Sequence, residues 1–265
     1  MRIALLGATG RMGESVLRAL AADPAFALVG ALGSPGSAAL GQDAGAVAGL
    51  DRRFGVAVSA DRARVLEGAE VALDFTLPEA TVANLAACRA ARTALLVGTT
   101  GLGPEAHALL AAATDIALLV AANTSLGVAL LSGLVERAAR ALPPEYDIDV
   151  QDVHHRSKRD APSGTALVLG AAAAAGRGRG ARELAEDATD GGGRPRREGA
   201  IGFQSVRAGD IVGEHTVSFT AAGERLELVH RATDRLTFAR GALRACAWLR
   251  GRPPGRYSMA DVLGV

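Results

Sequence analysis

Along the first half of the chain, short apolar runs of strand length are each followed by a stretch with helical patterning. Arg2-Ile3-Ala4-Leu5-Leu6 leads through glycines into a helical pattern from Glu14 to Ala22, and Ala27 to Leu32 is a second run. Val71 to Thr76, Ala94 to Val97 and Ile116 to Val120 continue the series, separated by helices predicted from Pro78 to about Ala91 and from Pro104 to Ala113. Strands alternating with helices in this way predict a parallel sheet, its carboxyl ends forming one rim. Between Ser34 and Arg53 the sequence is rich in Gly, Ala and Asp without clean periodicity, and it reads as loop with room for a short helix.

The second half is patterned differently. Leu126 to Leu142 is a long amphipathic helix that stops before Pro143-Pro144, part of the boundary with a second domain. Tyr146 to Val153 alternates polar and apolar residues like a half-buried strand, and Thr165 to Ala175 is helix-forming Ala and Leu. Ala200 to Val206, Ile211 to Ala221 and Glu224 to Ala232 are further strand-like runs, making about four strands for an open sheet covered by two helices. Gly176 to Gly199, dense in Gly, Arg, Asp and Glu, reads as a solvated excursion, and Thr237 to Leu249 as a closing helix.

The first turn carries candidate chemistry. Gly7-Ala8-Thr9-Gly10-Arg11-Met12-Gly13 follows the first strand and opens the first helix. Glycines there permit a tight turn and a close approach of backbone to a pyrophosphate, which rests on the helix N-terminus. The alternative is a tight turn without a ligand. The end of the second strand is where a carboxylate usually reads the adenine ribose, and here it offers Gly33, Ser34, Pro35 and Gly36. That leaves room for a 2′-phosphate, for which Arg11 is a candidate partner; the alternative is that Arg11 is a solvated residue of the first helical turn. Gly7 to Gly13, Thr76, Gly98 to Thr100 and Ala122 to Thr124 all fall on the carboxyl rim of the sheet, where ligands collect. The first domain is thus Rossmann-like, over residues 1–125. A second covers 126–235, and the segment from about 236 to 265 is a candidate to return to the first.

A second constellation lies in one loop, His154-His155-Arg156-Ser157-Lys158-Arg159-Asp160-Ala161-Pro162-Ser163-Gly164-Thr165-Ala166. Two imidazoles and an ammonium at the end of a strand can exchange protons near neutral pH. Pro162 to Thr165 opens a helix whose free N–H groups suit a carboxylate or phosphate. An anionic substrate needing a proton fits this loop. The competing reading is a basic surface loop in which Ser163 merely caps a helix.

Composition narrows the class. A chain of 265 residues suits two modest domains, and a formal charge of +1 gives no general reason to expect nucleic acid or a membrane as partner. No run approaches the roughly 18 apolar residues of a membrane span, and Met1-Arg2 leads straight into a strand, so a cytoplasmic protein is expected. Cys88 and Cys246, the only cysteines, sit in Ala-rich helical patterns and read as buried thiols; no metal site is expected. His107 reads as a helix-surface residue, His230 as a strand residue and His215 as a structural hydrogen-bonding group.

The loop from His154 to Ala166 resembles the signature of the bacterial 4-hydroxy-tetrahydrodipicolinate reductases, also called dihydrodipicolinate reductases. Gly7 to Gly13, Asp74 to Glu79, Gly98 to Gly101, Ala121 to Asn123 and Gly209 to Thr216 look like blocks of the same family, in family order. The resemblance implies an α/β fold: a Rossmann-like parallel-sheet domain for NADPH or NADH, and an α+β domain with a mixed open sheet. It also implies that the second domain binds a cyclic dicarboxylate and builds a homotetramer. His154 is then the general acid/base and Lys158 a proton donor, while His155, Ser163, Gly164, Thr165 and Arg235 contact substrate. Gly7, Ala8, Thr9, Gly10, Arg11, Met12, Gly33, Ser34, Gly98, Thr99, Thr100, Ala121, Ala122, Asn123 and Thr124 line the cofactor. The implied reaction is reduction of 4-hydroxy-tetrahydrodipicolinate in lysine and diaminopimelate biosynthesis. Two residues depart from the family pattern: Gly33, where an acidic residue tends to stand, and Thr124, where an aromatic often follows Ala-Ala-Asn. Another Rossmann dehydrogenase of amino-acid metabolism, or a nucleotide-sensing module without turnover, are the alternatives.

Overall fold

The computed structural model describes residues 1–181, 185–187 and 196–265. The described residues divide into two compact units, Met1–Ser125 with Arg235–Gly264, and Leu126–Asp234 with Val265.

The first unit begins β1 (Arg2–Leu6), α1 (Arg11–Ala22), β2 (Ala27–Leu32), α2 (Ala44–Val47), β3 (Val58–Ser59) and α3 (Arg62–Leu66). It continues β4 (Val71–Asp74), α4 (Pro78–Ala90), β5 (Ala94–Val97), α5 (Pro104–Ala112) and β6 (Ala117–Val120). The seven strands of its sheet run in the order β12-β6-β5-β4-β1-β2-β3, every pair parallel, with β12 (Gly255–Tyr257) added at the edge beside β6. The parallel sheet expected from the apolar runs is therefore present. Leu5, Leu73, Leu95, Leu96 and Leu118 are fully buried, as strands covered on both faces require, and each such side chain contributes roughly 1.5–3 kcal/mol. The short elements β3 and α3 lie in a stretch whose periodicity announces neither. Asp61 starts α3, its carboxylate accepting from the Ala63 and Arg64 N–H groups at 2.9 and 3.2 Å. Cys88 and Cys246 are buried, and burial pushes both thiols up, Cys88 to about 12.

The second unit comprises α6 (Leu126–Ala141), β7 (Asp147–His154), α7 (Gly164–Gly176), β8 (Ala185–Asp187), β9 (Ile201–Arg207), β10 (Gly213–Ala221) and β11 (Glu224–Ala232). Its sheet has the order β11-β10-β7-β9-β8. β10 pairs antiparallel with β11 and β7, whereas β7–β9 and β9–β8 are parallel, so the sheet is mixed. The expected excursion from Gly176 to Gly199 lies partly outside the described residues, and within it Ala185–Asp187 adds a fifth strand. Leu131, Val135 and Ala139 of α6 and Ala166, Leu169 and Ala173 of α7 pack on Ile148, Val150, Phe203, Val217 and Phe219, so two helices cover one face of the sheet. The closing helix α8 (Leu236–Leu249) and α9 (Met259–Leu263) belong to the first unit.

Candidate functional site

In the first unit the turn after β1 is built from backbone. Gly7 sits at φ 89°, and a Cβ there would come within 2.5 Å of the Phe75 carbonyl oxygen. A Cβ on Gly13 would strike the Gly7 carbonyl oxygen, so α1 presses against the turn only because both positions are glycine. Above this turn lies a cavity of about 600 Å³, lined by Gly7, Thr9, Gly10, Arg11 and Met12, by Gly33 and Ser34, and by Gly98, Thr99 and Thr100, among others. A glycine turn opening a 12-residue helix, two arginines and no carboxylate in the lining suit a dinucleotide carrying phosphates.

The remaining predicted cofactor residues are placed otherwise. Ala8 is fully buried beneath the turn. Ala121 to Thr124 follow β6 and do not line this cavity. Thr124 turns its hydroxyl inward to donate to the Phe238 carbonyl at 2.7 Å, and Asn123 accepts from the Ser125 N–H at 2.8 Å, at the start of α6.

In the second unit β7 ends in His154, and strand periodicity decides the chemistry there. Ile148, Val150, Asp152 and His154 are the buried alternate residues of one face, so a carboxylate and an imidazole continue an apolar row. The Asp152 carboxylate, with no exposed surface, lies 3.0 Å from His154 Nδ1, accepts from Ser205 Oγ at 2.6 Å, and pairs with Arg207 Nη1 at 2.9 Å. Burial pushes this carboxyl up, but the bonds from His154 and Ser205 and the Arg207 guanidinium outweigh it and hold it well below the usual carboxylate range. A carboxylate can only accept, so Nδ1 of His154 carries a hydrogen and Nε2 is left to give or take a proton. A Cβ on Gly213 would stand 3.1 Å from that Nε2, and the glycine keeps the approach clear.

His215 stacks edge-on to His154 with ring centroids 5.2 Å apart. Burial, and then the neighbouring His154, push its imidazole down to about 4. Its Nδ1 is buried and has no hydrogen-bond partner among the described residues, so a proton there would find no acceptor. Its Nε2 lies 3.2 Å from Ser163 Oγ, which also accepts from the Ala166 N–H at 3.1 Å and caps α7. Ser163 is thus committed to the scaffold. Gly164, one residue on, is exposed, and a Cβ there would meet nothing within 4 Å. Lys158 donates from Nζ to Asp160 at 2.9 Å, and His155 Nδ1 lies 3.0 Å from Ser157 Oγ. Arg235 stands in the first unit, immediately before α8. His107 is exposed on α5, and His230 is opposite His215 on β11.

Asp152, Ser205 and Arg207 are the residues that motif reading missed. The signal for Asp152 was its parity, two residues before His154 on the face that carries Ile148 and Val150. Ser205 and Arg207 depend on strand pairing, since β9 sets them opposite Asp152 and His154.

Two family models cover the chain nearly end to end: "Dihydrodipicolinate reductase, N-terminus" over residues 1–124 and "Dihydrodipicolinate reductase, C-terminus" over 127–263. The chain belongs to the dihydrodipicolinate reductase family. A 4-hydroxy-tetrahydrodipicolinate reductase of Alkalilimnicola ehrlichii is 51% identical over 265 residues, covering 100% of this chain and 99% of the relative. One from Methylocella silvestris is 50% identical over 100% of this chain and 97% of its own. Among solved structures, the dipicolinate-bound dihydrodipicolinate reductase from Paenisporosarcina sp. TG-14 has a TM-score of 0.75 at 22% identity, covering 98% of both chains. An amine dehydrogenase from Mycobacterium smegmatis shares the fold, with a TM-score of 0.62 at 17% identity over 98% of this chain and 95% of its own. Like its family, the chain is an NAD(P)H-dependent oxidoreductase, and it reduces 4-hydroxy-tetrahydrodipicolinate to tetrahydrodipicolinate in lysine and diaminopimelate biosynthesis.

Proposed function

We propose that the loop from His154 to Thr165 carries the proton chemistry and substrate recognition of this reduction. The observation that carries the reading is His154 itself: 8% exposed, held through Nδ1 by a buried carboxylate, with Nε2 facing the space that Gly213 leaves. An imidazole so held has one tautomer and one direction in which to exchange a proton. Bound NAD(P)H supplies the hydride. Lys158 is the proton donor, its ammonium kept near the loop by Asp160. The substrate's carboxylates are held by the N-terminus of α7 at Gly164 and Thr165 and by His155. Loss of the substrate hydroxyl as water leaves a conjugated imine, and a protein-derived proton completes the reduction.

The first unit is the NAD(P)H-binding domain and the second the substrate-binding and assembly domain. The chain works as a homotetramer in the cytoplasm; β9 and β11 leave Val206, Leu226 and Val229 exposed, apolar surface of the kind that subunit contacts cover. Among the described residues no helix is long and apolar enough to cross a membrane.

Incubation with NADPH and freshly generated 4-hydroxy-tetrahydrodipicolinate, following the absorbance of the reduced nicotinamide, tests the reading. Turnover is expected, and Lys158→Ala should lower kcat by on the order of a hundredfold with the fold intact, the scale of a positioned proton donor. Near-normal turnover in a folded Lys158→Ala protein would remove Lys158 from the mechanism.

A further inference from the structure

We propose that Arg62 reads the 2′-phosphate of NADPH, held in place by a buried hydrogen-bond chain that runs from Asp74 through Asn84. The proposal rests on the first unit's cavity being the NAD(P)H site. In the sheet order β1-β2-β3, the glycine turn follows β1 and the carboxylate-free rim of Gly33 and Ser34 follows β2. Arg62 opens the helix after β3, one strand further toward that edge, and lines the same cavity as Gly33, Ser34, Pro35 and Ala60. The adenosine end of a dinucleotide lies on this side of such a sheet.

The side chain is oriented in advance. Arg62 Nε donates to Oδ1 of Asn84 at 2.8 Å. Asn84 is fully buried, and its Nδ2 donates to Asp74 Oδ2 at 3.1 Å and to Thr76 Oγ1 at 3.0 Å. Asp74, also fully buried at the end of β4, accepts from the Thr76 N–H and hydroxyl at 2.9 and 2.6 Å and from Thr99 Oγ1 at 3.3 Å. One edge of the guanidinium is thereby fixed to the cavity wall, while among the described residues no acceptor takes Nη1 or Nη2. The nearest carboxylate in sequence, Asp61, is occupied in capping α3.

A planar fork held on one edge gives up little further freedom when its other edge meets a phosphate. The cavity lining carries two guanidiniums, Arg62 and Arg11, and no carboxylate. A phosphate monoester on the ribose adds about two negative charges to the ligand. NADH has no group for Arg62 to bind in this way, so the residue separates the two cofactors.

Calorimetric titration of the full-length protein with 2′,5′-ADP and with 5′-AMP tests the assignment without turnover. In Arg62→Leu, affinity for 2′,5′-ADP should fall about tenfold or more, the scale of a charge-assisted contact, while that for 5′-AMP stays within about twofold. Arg62→Lys should fall between, because an ammonium keeps the charge but cannot bridge Asn84 and a phosphate together. An unchanged ratio of the two affinities in Arg62→Leu, or equal losses for both nucleotides, overturns the proposal. If a melting curve shows Arg62→Leu unfolded, the Arg62→Lys ratio decides, and a native value there overturns it. Nucleotide discrimination without reductase turnover would instead strike the catalytic reading and leave Arg62 standing. Failure of the native protein to bind either nucleotide would sink the cavity's reading and this proposal together.

Discussion

The two candidate sites are made of different materials. The cavity of the first unit is shaped by backbone: Gly7 and Gly13 let a helix close on a turn, and Gly98 to Thr100 follow a buried strand on the same rim. The histidine site of the second unit is shaped by side chains, since His154 is held by Asp152, Asp152 by Ser205 and Arg207, and His215 by Ser163. Backbone N–H groups need no proton bookkeeping to bind a phosphate. A group that must gain and lose a proton needs a tautomer and a dielectric set around it, which only side chains from several strands can supply.

Removing a buried partner of the histidine should therefore have the largest effect. Asp152→Asn keeps the size of the side chain but replaces a carboxylate that can only accept from Nδ1 with an amide that can donate as well as accept, so the tautomer of His154 is no longer fixed. We expect kcat to fall on the order of a hundredfold, by comparison with other orienting carboxylates. A near-native kcat in folded Asp152→Asn, with only the melting temperature lowered, would reduce Asp152 to a structural role.

The second test titrates the same network. His215 is pushed from 6.5 to about 4 in the folded protein, so as pH falls the unfolded chain takes up its proton first. The stability this residue contributes is present above pH 6.5 and is lost as pH falls toward 4, by at most about 3 kcal/mol. Asp152, whose carboxyl is also lowered, adds a loss of the same sign that begins below its ordinary value of 3.8. Melting temperatures between pH 7 and pH 4 should fall less steeply in His215→Gln, which cannot titrate. Parallel curves for the two proteins would contradict the buried neutral imidazole.

On the cavity side, Gly13→Ala should weaken NADPH binding by about tenfold or more, because the added methyl meets the Gly7 carbonyl and forces the helix from the turn. Thr9→Ala, which trims a side chain on the same wall, should change it by less than about threefold. If the threonine matters more than the glycine, the contrast between backbone and side-chain sites fails. Fluorescence titration of NADPH measures both.

Legibility followed the same division. The parallel sheet, the glycine turn and the His154 loop could be read directly because each is written in neighbouring residues: apolar runs, glycines at short spacing, and a strand ending in imidazoles. The strand β8 could not, since Ala185–Asp187 is short and carries charge, and it is a strand only because β9 offers a free edge. Ser163 was ambiguous in sequence between ligand contact and helix cap; its contact with His215, fifty-two residues away, commits its hydroxyl to the scaffold.

Thus local order determined that this chain has a dinucleotide-type turn and a proton-exchanging loop, because hydrogen-bond patterns and backbone freedom act over a few residues. Which nitrogen of His154 is held, why His215 stays neutral, and how Arg62 is tethered were decided by the tertiary structure alone. Ser205 stands 53 positions from Asp152, Asn84 stands 22 from Arg62, and His215 stands 52 from Ser163. Charge and desolvation act through space: strand register sets Ser205 against Asp152, the packing of α3 on α4 sets Arg62 against Asn84, and the start of α7 sets Ser163 against His215, each within 3.2 Å where sequence separation hides them.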